Sequence, residues 1–520
     1  MNALDDPRYP TELGASIFIE ENHILYNAAQ EFGLDTGALR TLSEQGYSLG
    51  IWDGREFVFQ QENRNGKSSW WDIAKLLWRY GLAPIRTQRL VKSTLHRFDK
   101  MYYKPLFPFH GIDEAAARVG LLDLTAATGV QTLKKANIGD EFAREFIQAS
   151  TRVNYGQNLA QIHGLEMVVS MAPDGAMAVE GGNWQIFENM VKKSGAEVRL
   201  ETTVTDVSRT KDGFYTIAAM PSPEDNIQGS IGREELFDTV ILSAPYQFAN
   251  VTFYPPLPPS HTPDKIPYVT LHVTLFTSPH RISPGFFKLP SSQTTPDMIL
   301  TTLPPDFDPP ASSRGKYGVG PPGFWSISLQ KTLHTGGELG TQYLYKVFSP
   351  ERLTASWLSM LLDVEAPQSM GDVGEDPISR VPKSDLSWFY EKKWHSYPYE
   401  IPRISFELIR LSDLGNLSKT GRKSEGELGG RGIWYTSGIE SFISTMETSA
   451  LMGKNVARLI VDELLAHSSE APDKDTGDDS LGAGCVGQGL ENVVVGWVGQ
   501  AKIADLINEA KTLVADFLNF

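Results

Sequence analysis

The sequence predicts a mixed fold, α/β plus α+β, and three stretches predict it. Late in the chain the run Gly432-Ile-Trp-Tyr-Thr-Ser reads as a strand, and after a turn at Gly438 a helix continues to about Leu465. Upstream, a helix over 184–194 stops at Gly195; an alternating strand from Glu197 to Val207 and the apolar run Phe237-Asp-Thr-Val-Ile-Leu follow it. Helix, strand and later buried strand are the rhythm of an α/β nucleotide-binding domain. Between these stretches Tyr268-Val-Thr-Leu-His-Val-Thr-Leu-Phe alternates over nine residues, which marks a half-buried antiparallel strand of a second sheet. The two parts therefore interleave in sequence.

In chain order, Thr11-Glu-Leu-Gly-Ala-Ser-Ile-Phe-Ile comes first, with no element ahead of it to belong to. Residues 33–43 read as a helix, and Gly50-Ile-Trp-Asp-Gly-Arg-Glu-Phe-Val-Phe as a hairpin turning at Asp53-Gly54. Helices are predicted over 70–100 around a break at Pro84, and again over 111–122 and 137–149. Gly213-Phe-Tyr-Thr-Ile-Ala-Ala is a further strand; the stretches 290–322, 364–376 and 412–432 read as surface insertions. The late helix opens with a capping box, Ser444 with Glu447, and carries Met446, Ala450, Val456, Leu459, Ile460 and Leu464 at helical spacing. The free N–H groups of its first turn favour negative charge, as a phosphate site requires. Residues 467–489 are rich in Asp, Gly and Ser and read as a disordered linker, ahead of a C-terminal strand and amphipathic helix within 490–520.

The charge balance, 47 Lys and Arg against 63 Asp and Glu, gives −16 with no basic block, which speaks against a nucleic-acid partner. A single cysteine, Cys485, excludes an intrachain disulfide scaffold and a cysteine metal cluster, and no metal site is expected. No run approaches the ~20 apolar residues of a membrane span, and the first residues lack a signal-peptide pattern. Asn250-Val-Thr and Asn416-Leu-Ser are glycosylation sequons that such tripeptides also form by chance. Two segments match G-x-G-x-x-G, Gly318-Val-Gly-Pro-Pro-Gly and Gly482-Ala-Gly-Cys-Val-Gly; neither follows a strand or opens a helix, so neither reads as a phosphate loop.

Seven segments taken together resemble the prenylcysteine oxidases. They are Glu12-Leu-Gly-Ala-Ser-Ile-Phe, Leu49-Gly-Ile-Trp-Asp-Gly, Thr151-Arg-Val-Asn-Tyr-Gly-Gln, Ala178-Val-Glu-Gly-Gly-Asn, Tyr343-Leu-Tyr-Lys-Val-Phe-Ser, Lys393-Trp-His-Ser-Tyr-Pro, and Gly438-Ile-Glu with Met446-Glu-Thr-Ser-Ala, all in the family's order. The resemblance implies an amine-oxidase-like FAD-binding domain, over 1–30, 170–260 and 430–466, interleaved with a substrate domain over 31–169 and 261–429. It further implies that Gly438, Ile439, Glu440, Thr445 and Met446 lie along the flavin, with Glu12, Gly14, Ala15 and Ser16 on its other side and the backbone of Val204 at the adenine. By its own pattern Val204 is also a strand residue with its side chain in the core. The family's opening strand, glycine-rich turn, helix and second strand do not precede Thr11. Two accounts stand: a sequence that starts late, or a homologue without its cofactor.

The chemistry implied is oxidation of S-prenyl-L-cysteine by FAD and dioxygen to cysteine, a prenyl aldehyde and hydrogen peroxide, in the breakdown of prenylated proteins. The protein's part is to position the prenyl C1, hold an apolar chain and exclude water. Lys393 is read as the catalytic candidate, positioning a water, or as a lysine snorkelling at the surface. Trp394, Tyr397 and Tyr399 are read as aromatics facing the substrate. Arg152 and Asn154, with Tyr155 beside them, are candidates for the amino-acid end, with a structural salt bridge as the other reading of Arg152. The resemblance implies a lysosome or vacuole. A cofactor-free isoprenoid-binding protein on the same scaffold is the alternative function.

Overall fold

In the computed structural model the described residues are 1–37, 48–61, 78–172, 175–221, 235–336, 339–367, 376–412 and 431–468. The amphipathic C-terminal helix, the second glycine motif, the Asn416 sequon and most of the 364–376 and 412–432 stretches lie outside them.

A seven-stranded sheet dominates, in the order β12-β8-β11-β10-β9-β1-β2. Its strands are β1 (Leu49–Trp52), β2 (Phe57–Gln60), β8 (Tyr268–Ser278), β9 (Met298–Thr301), β10 (Ser326–His334), β11 (Thr341–Ser349) and β12 (Trp388–Pro398). All neighbours pair antiparallel except β1 with β9. The expected β1–β2 hairpin is present, its turn held by the Asp53 carboxylate, which accepts from the N–H groups of Arg55 and Glu56. Because side chains alternate across a strand, one face carries Phe276, Ile327, Tyr345 and Val347 into a core with the helix Ala355–Leu362. The other face carries Leu271, Val273, Phe348 and Trp394, with Trp325 and Leu13 packed against them.

The α/β part has two smaller sheets. In one, β3 (Thr202–Arg209) lies between β4 (Tyr215–Pro221) and β7 (Thr252–Tyr254), with β5 (Leu236–Phe237) beyond β4. In the other, β6 (Thr239–Leu242) pairs in parallel with β13 (Gly432–Tyr435). The strand expected from Glu197 begins only at Thr202. Val198 and Leu200 are 55% and 79% exposed, because among the described residues no strand lies beside them to complete a ladder. The apolar run after Phe237 is likewise not a buried strand: it divides into β5 and β6, and Ile241 is 46% exposed.

The helices that place the site are α1 (His23–Glu31), α2 (Ala83–Asp99), α3 (Gln148–Tyr155), α4 (Gly164–Ser170), α5 (Trp184–Ser194) and α7 (Met446–Ser468), with α6 the helix Ala355–Leu362. Helix α5 ends as expected at Gly195, whose φ of +68° is left-handed. The break expected at Pro84 is present: residues 78–80 are helical, 81–82 form a turn, and α2 starts anew at Ala83 with Pro84 in its first turn, where its missing N–H costs nothing. Of the helix expected over 33–43, residues 33–37 are not helical and the rest lies outside the described residues; α1 precedes it. The stretch 290–322 is not simply surface: it supplies β9 and the buried Gly318 and Val319.

Candidate functional site

The capping box at the start of α7 is displaced by one residue. Thr445 and Thr448 form the reciprocal cap, each hydroxyl accepting from the other's N–H at 3.2 Å. Glu447, released from that duty, points away to cap α1: its carboxylate accepts from Ile24 N at 2.9 Å, Leu25 N at 3.0 Å and the Tyr102 hydroxyl at 2.7 Å. Ser444 donates its N–H to Glu166 instead, at 3.2 Å. One carboxylate thus locks two helix starts together, and Met446 packs with Phe18, Leu25, Met177 and Val179. The 3-10 turn Ser437–Ser441 before it buries Gly438 and Ile439, while Glu440 is half-buried and accepts from the Tyr268 hydroxyl at 3.0 Å.

The Glu12-Leu-Gly-Ala-Ser segment is held from both sides. Asn183 donates its backbone N–H to the Glu12 carboxylate at 2.7 Å and its side-chain amide to the Ala15 carbonyl at 3.4 Å. Gly14 lies so close to the Trp394 ring that a Cβ there would stand 3.1 Å from it. Ala15 is exposed and Ser16 half-buried. Val204 packs its side chain partly into the cluster of Val207, Phe253, Ile433 and Tyr435.

Lys393 is exposed on β12, opposite His272. The strand's alternation turns Lys393 away from the face that carries Trp394. A different lysine occupies that face. Lys346 of β11 is 7% exposed, and its ammonium approaches the Glu12 carbonyl at 3.4 Å. Burial pushes its pKa down to about 8. Reading sequence alone could not separate these lysines, because both stand in aromatic-rich strands and only register decides which face each takes.

Arg152 is fully buried, yet among the described residues no carboxylate meets it. Its guanidinium donates to Thr301 Oγ1 at 3.0 Å, Asn158 Oδ1 at 2.9 Å, the Gly318 carbonyl at 3.3 Å and the Val319 carbonyl at 2.8 Å, with the Trp325 ring 4.7 Å away. Burial lowers its pKa to about 9. The salt-bridge reading therefore fails, and the first glycine motif presents carbonyls to a cation, the reverse of a phosphate loop. Asn154 donates to the Ser150 and Ser170 carbonyls at 3.0 and 3.4 Å. The Tyr399 hydroxyl accepts from Gly315 N at 3.1 Å.

Tyr155 and Tyr397 do come together, edge to face at 5.6 Å. They border a buried polar group that the sequence did not announce. His163 caps α4, its Nδ1 accepting from Glu166 N at 3.0 Å. The other ring nitrogen must then carry the proton, and it stands 3.4 Å from Glu400 Oε2. Burial holds the imidazole neutral, its pKa near 3. Burial raises Glu166 to about 8, against the neighbouring Tyr155 hydroxyl and Ser444 N–H, which oppose the rise. It raises Glu400 well above the carboxylate range, and the negative charges of Glu166, Glu440 and Glu407 add to that. In the sequence each of these glutamates looks like an ordinary surface acid, since nothing in local spacing reports burial.

No helix among the described residues is long and apolar enough to cross a membrane, and among them no group of His, Cys, Asp and Glu could hold a metal ion. The prenylcysteine lyase family model matches residues 63–417 and 419–474. Farnesylcysteine lyase of Arabidopsis thaliana is 25% identical over 472 residues, which cover 88% of this chain and 78% of the relative. Prenylcysteine oxidase 1 of Rattus norvegicus is 26% identical over 475 residues, covering 86% and 78%. Among solved structures, a double mutant of putrescine oxidase aligns with 87% of this chain and 88% of its own at 14% identity, with a TM-score of 0.45. With the family model spanning most of its length, the chain belongs to the prenylcysteine lyase family.

Proposed function

We propose that this protein is an oxidoreductase that cleaves S-prenylcysteine at the thioether, with FAD as cofactor and dioxygen as electron acceptor. The observation that carries this reading is the family match across residues 63–417 and 419–474. The names of the relatives in plant and animal support the same substrate class.

The residues present suit a flavin in their donor chemistry. Helix α7 has 23 residues, and its first turn directs N–H groups at Met446 and Glu447 beyond the helix start, where a negatively charged group is favoured. We place Gly438, Ile439, Glu440, Thr445 and Met446 along one side of the flavin, Glu12, Gly14, Ala15 and Ser16 along another, and the Val204 backbone at the nucleotide end. FAD held there would supply the two-electron oxidation of the prenyl C1 beside sulfur; water provides the aldehyde oxygen, the C–S bond breaks to release cysteine as the thiol, and dioxygen takes up the electrons as hydrogen peroxide. The chain's own residues do the rest. Trp394 and the apolar face of β8 and β11 exclude bulk water. Lys346, desolvated beside Glu12, takes the water-positioning role in place of the exposed Lys393. Tyr155, Tyr397 and Tyr399 stand on the substrate side.

Anaerobic titration tests this reading. Protein incubated with FAD and desalted is expected to keep flavin absorbance, which S-farnesylcysteine then bleaches and air restores. Retained flavin that the thioether leaves oxidised would overturn the proposal.

A further inference from the structure

The buried polar group between α4 and the end of β12 has acceptors without donors. Both carboxylate oxygens of Glu400 lack a hydrogen-bond partner among the described residues, although the residue is 1% exposed, while the neighbouring Glu166, 0% exposed, receives the Tyr155 hydroxyl. Buried polar atoms are almost always paired, so the two orphaned oxygens of one buried carboxylate mark the place of something that donates. The protein supplies little to meet them. His163 Nε2 approaches Glu400 only at 3.4 Å, outside hydrogen-bond geometry. Arg403, the nearby cation, is committed to Glu407 at 3.0 Å and to the Ser405 carbonyl at 2.7 Å. Burial and mutual repulsion keep these two carboxyl groups protonated in the free protein, and an arriving positive charge is what favours their ionised forms.

A primary ammonium group answers both needs, with one charge and N–H donors enough for the two open oxygens of Glu400 and for the Glu166 carboxylate beside them. The setting fits an amino acid that carries an apolar chain. The Tyr155 and Tyr397 rings lie alongside, and the apolar cluster of Phe146, Ile147 and Leu159 continues from Tyr155. One Glu166 oxygen is bonded to Ser444 N, so the pair sits directly against the loop that leads into α7. Glu440 of the same turn contributes to the negative field at Glu400.

We propose that Glu166 and Glu400 form the receptor for the α-ammonium group of the prenylcysteine, an inference that rests on the substrate class proposed above. Ammonium recognition fixes which end of the substrate faces α7. It also gives the protein a means of rejecting prenylcysteines whose nitrogen is still in a peptide bond, because an amide brings no charge into the site.

Tryptophan-fluorescence titrations with three thioethers test this without any turnover: S-farnesylcysteine, its N-acetyl derivative, and 3-(farnesylthio)propanoate, which lacks the amine. The wild-type protein is expected to bind the free amine at least about tenfold more tightly than the other two, the scale of one charge-assisted contact. Glu400→Gln and Glu166→Gln are expected to erase that preference while leaving affinity for the propanoate unchanged. Both variants should fold, since each replaces a buried acid by a neutral group of the same shape, and matching melting curves check this. Equal wild-type affinity for the amine and the propanoate, or a preference that survives both substitutions, would overturn the inference and leave the substrate class standing. Failure to bind any of the three would overturn the substrate class and the inference with it. A parallel titration with ammonium chloride against sodium chloride separates a small-cation site. Stabilisation by inorganic ammonium alone, with no preference among the thioethers, also overturns the proposal.

Discussion

At the scale of single residues, burial rather than identity decides what a charged side chain does here. Lys346 and Lys393 have the same chemistry, and only strand register separates a desolvated ammonium from a solvated one. In the unfolded chain Lys346 holds its proton up to its ordinary 10.5, but in the folded protein only up to about 8. Between those values the unfolded state binds more protons, so wild-type stability rises with pH across the window. Lys346→Met is therefore expected to stabilise the protein by roughly 1–3 kcal/mol at pH 7, with the gain shrinking as pH passes 8 toward 10.5. Urea unfolding at pH 7 and pH 10 checks this, and an equal gain at both would count against it. Arg152 carries the same lesson with the opposite outcome: from the sequence it reads as a substrate-binding cation, yet its donors go to Thr301, Asn158, Gly318 and Val319.

At the scale of elements, periodicity was legible and partnership was not. The alternation of 268–276 becomes β8, the Asp53-Gly54 turn forms, and α5 stops at its glycine. The run Val198 to Leu200 has the pattern of a strand but among the described residues no neighbour to pair with, because pattern reports a face and not what covers it. The glutamate after Met446 shows the same limit. Its spacing from Ser444 fits a capping box, whereas the folded chain offers it the N–H groups of Ile24 and Leu25, more than 400 residues earlier in sequence. Glu447→Gln replaces one acceptor by a donor facing a backbone N–H and is expected to destabilise the protein by about 1–3 kcal/mol. Hydrogen exchange localises the effect: Ile24 and Leu25 should lose protection first, and uniform loss across the molecule would refute the cap.

At the scale of the whole molecule, the interleaving of an α/β part with an antiparallel sheet was readable from element order, and the family from seven short segments. The buried acidic pair was not, since Glu166 and Glu400 are brought together by folding across more than 200 residues of chain. It also shapes the pH response. In the unfolded state Glu166 releases its proton near its ordinary 4.5, while in the ligand-free folded protein it keeps it to about 8, and Glu400 shifts the same way. The folded state binds more protons in that window, so stability falls as pH rises through it. The double substitution Glu166→Gln with Glu400→Gln should flatten this decline in melting curves taken from pH 5 to pH 8, and an unchanged slope would place its origin elsewhere. The account as a whole stands on the assignment of prenylcysteine oxidation to this chain. Its most direct test is to supply FAD-loaded protein with S-farnesylcysteine in air and measure free cysteine thiol and hydrogen peroxide together. The account predicts that both appear in equal amounts, and protein that retains FAD yet releases neither would contradict it.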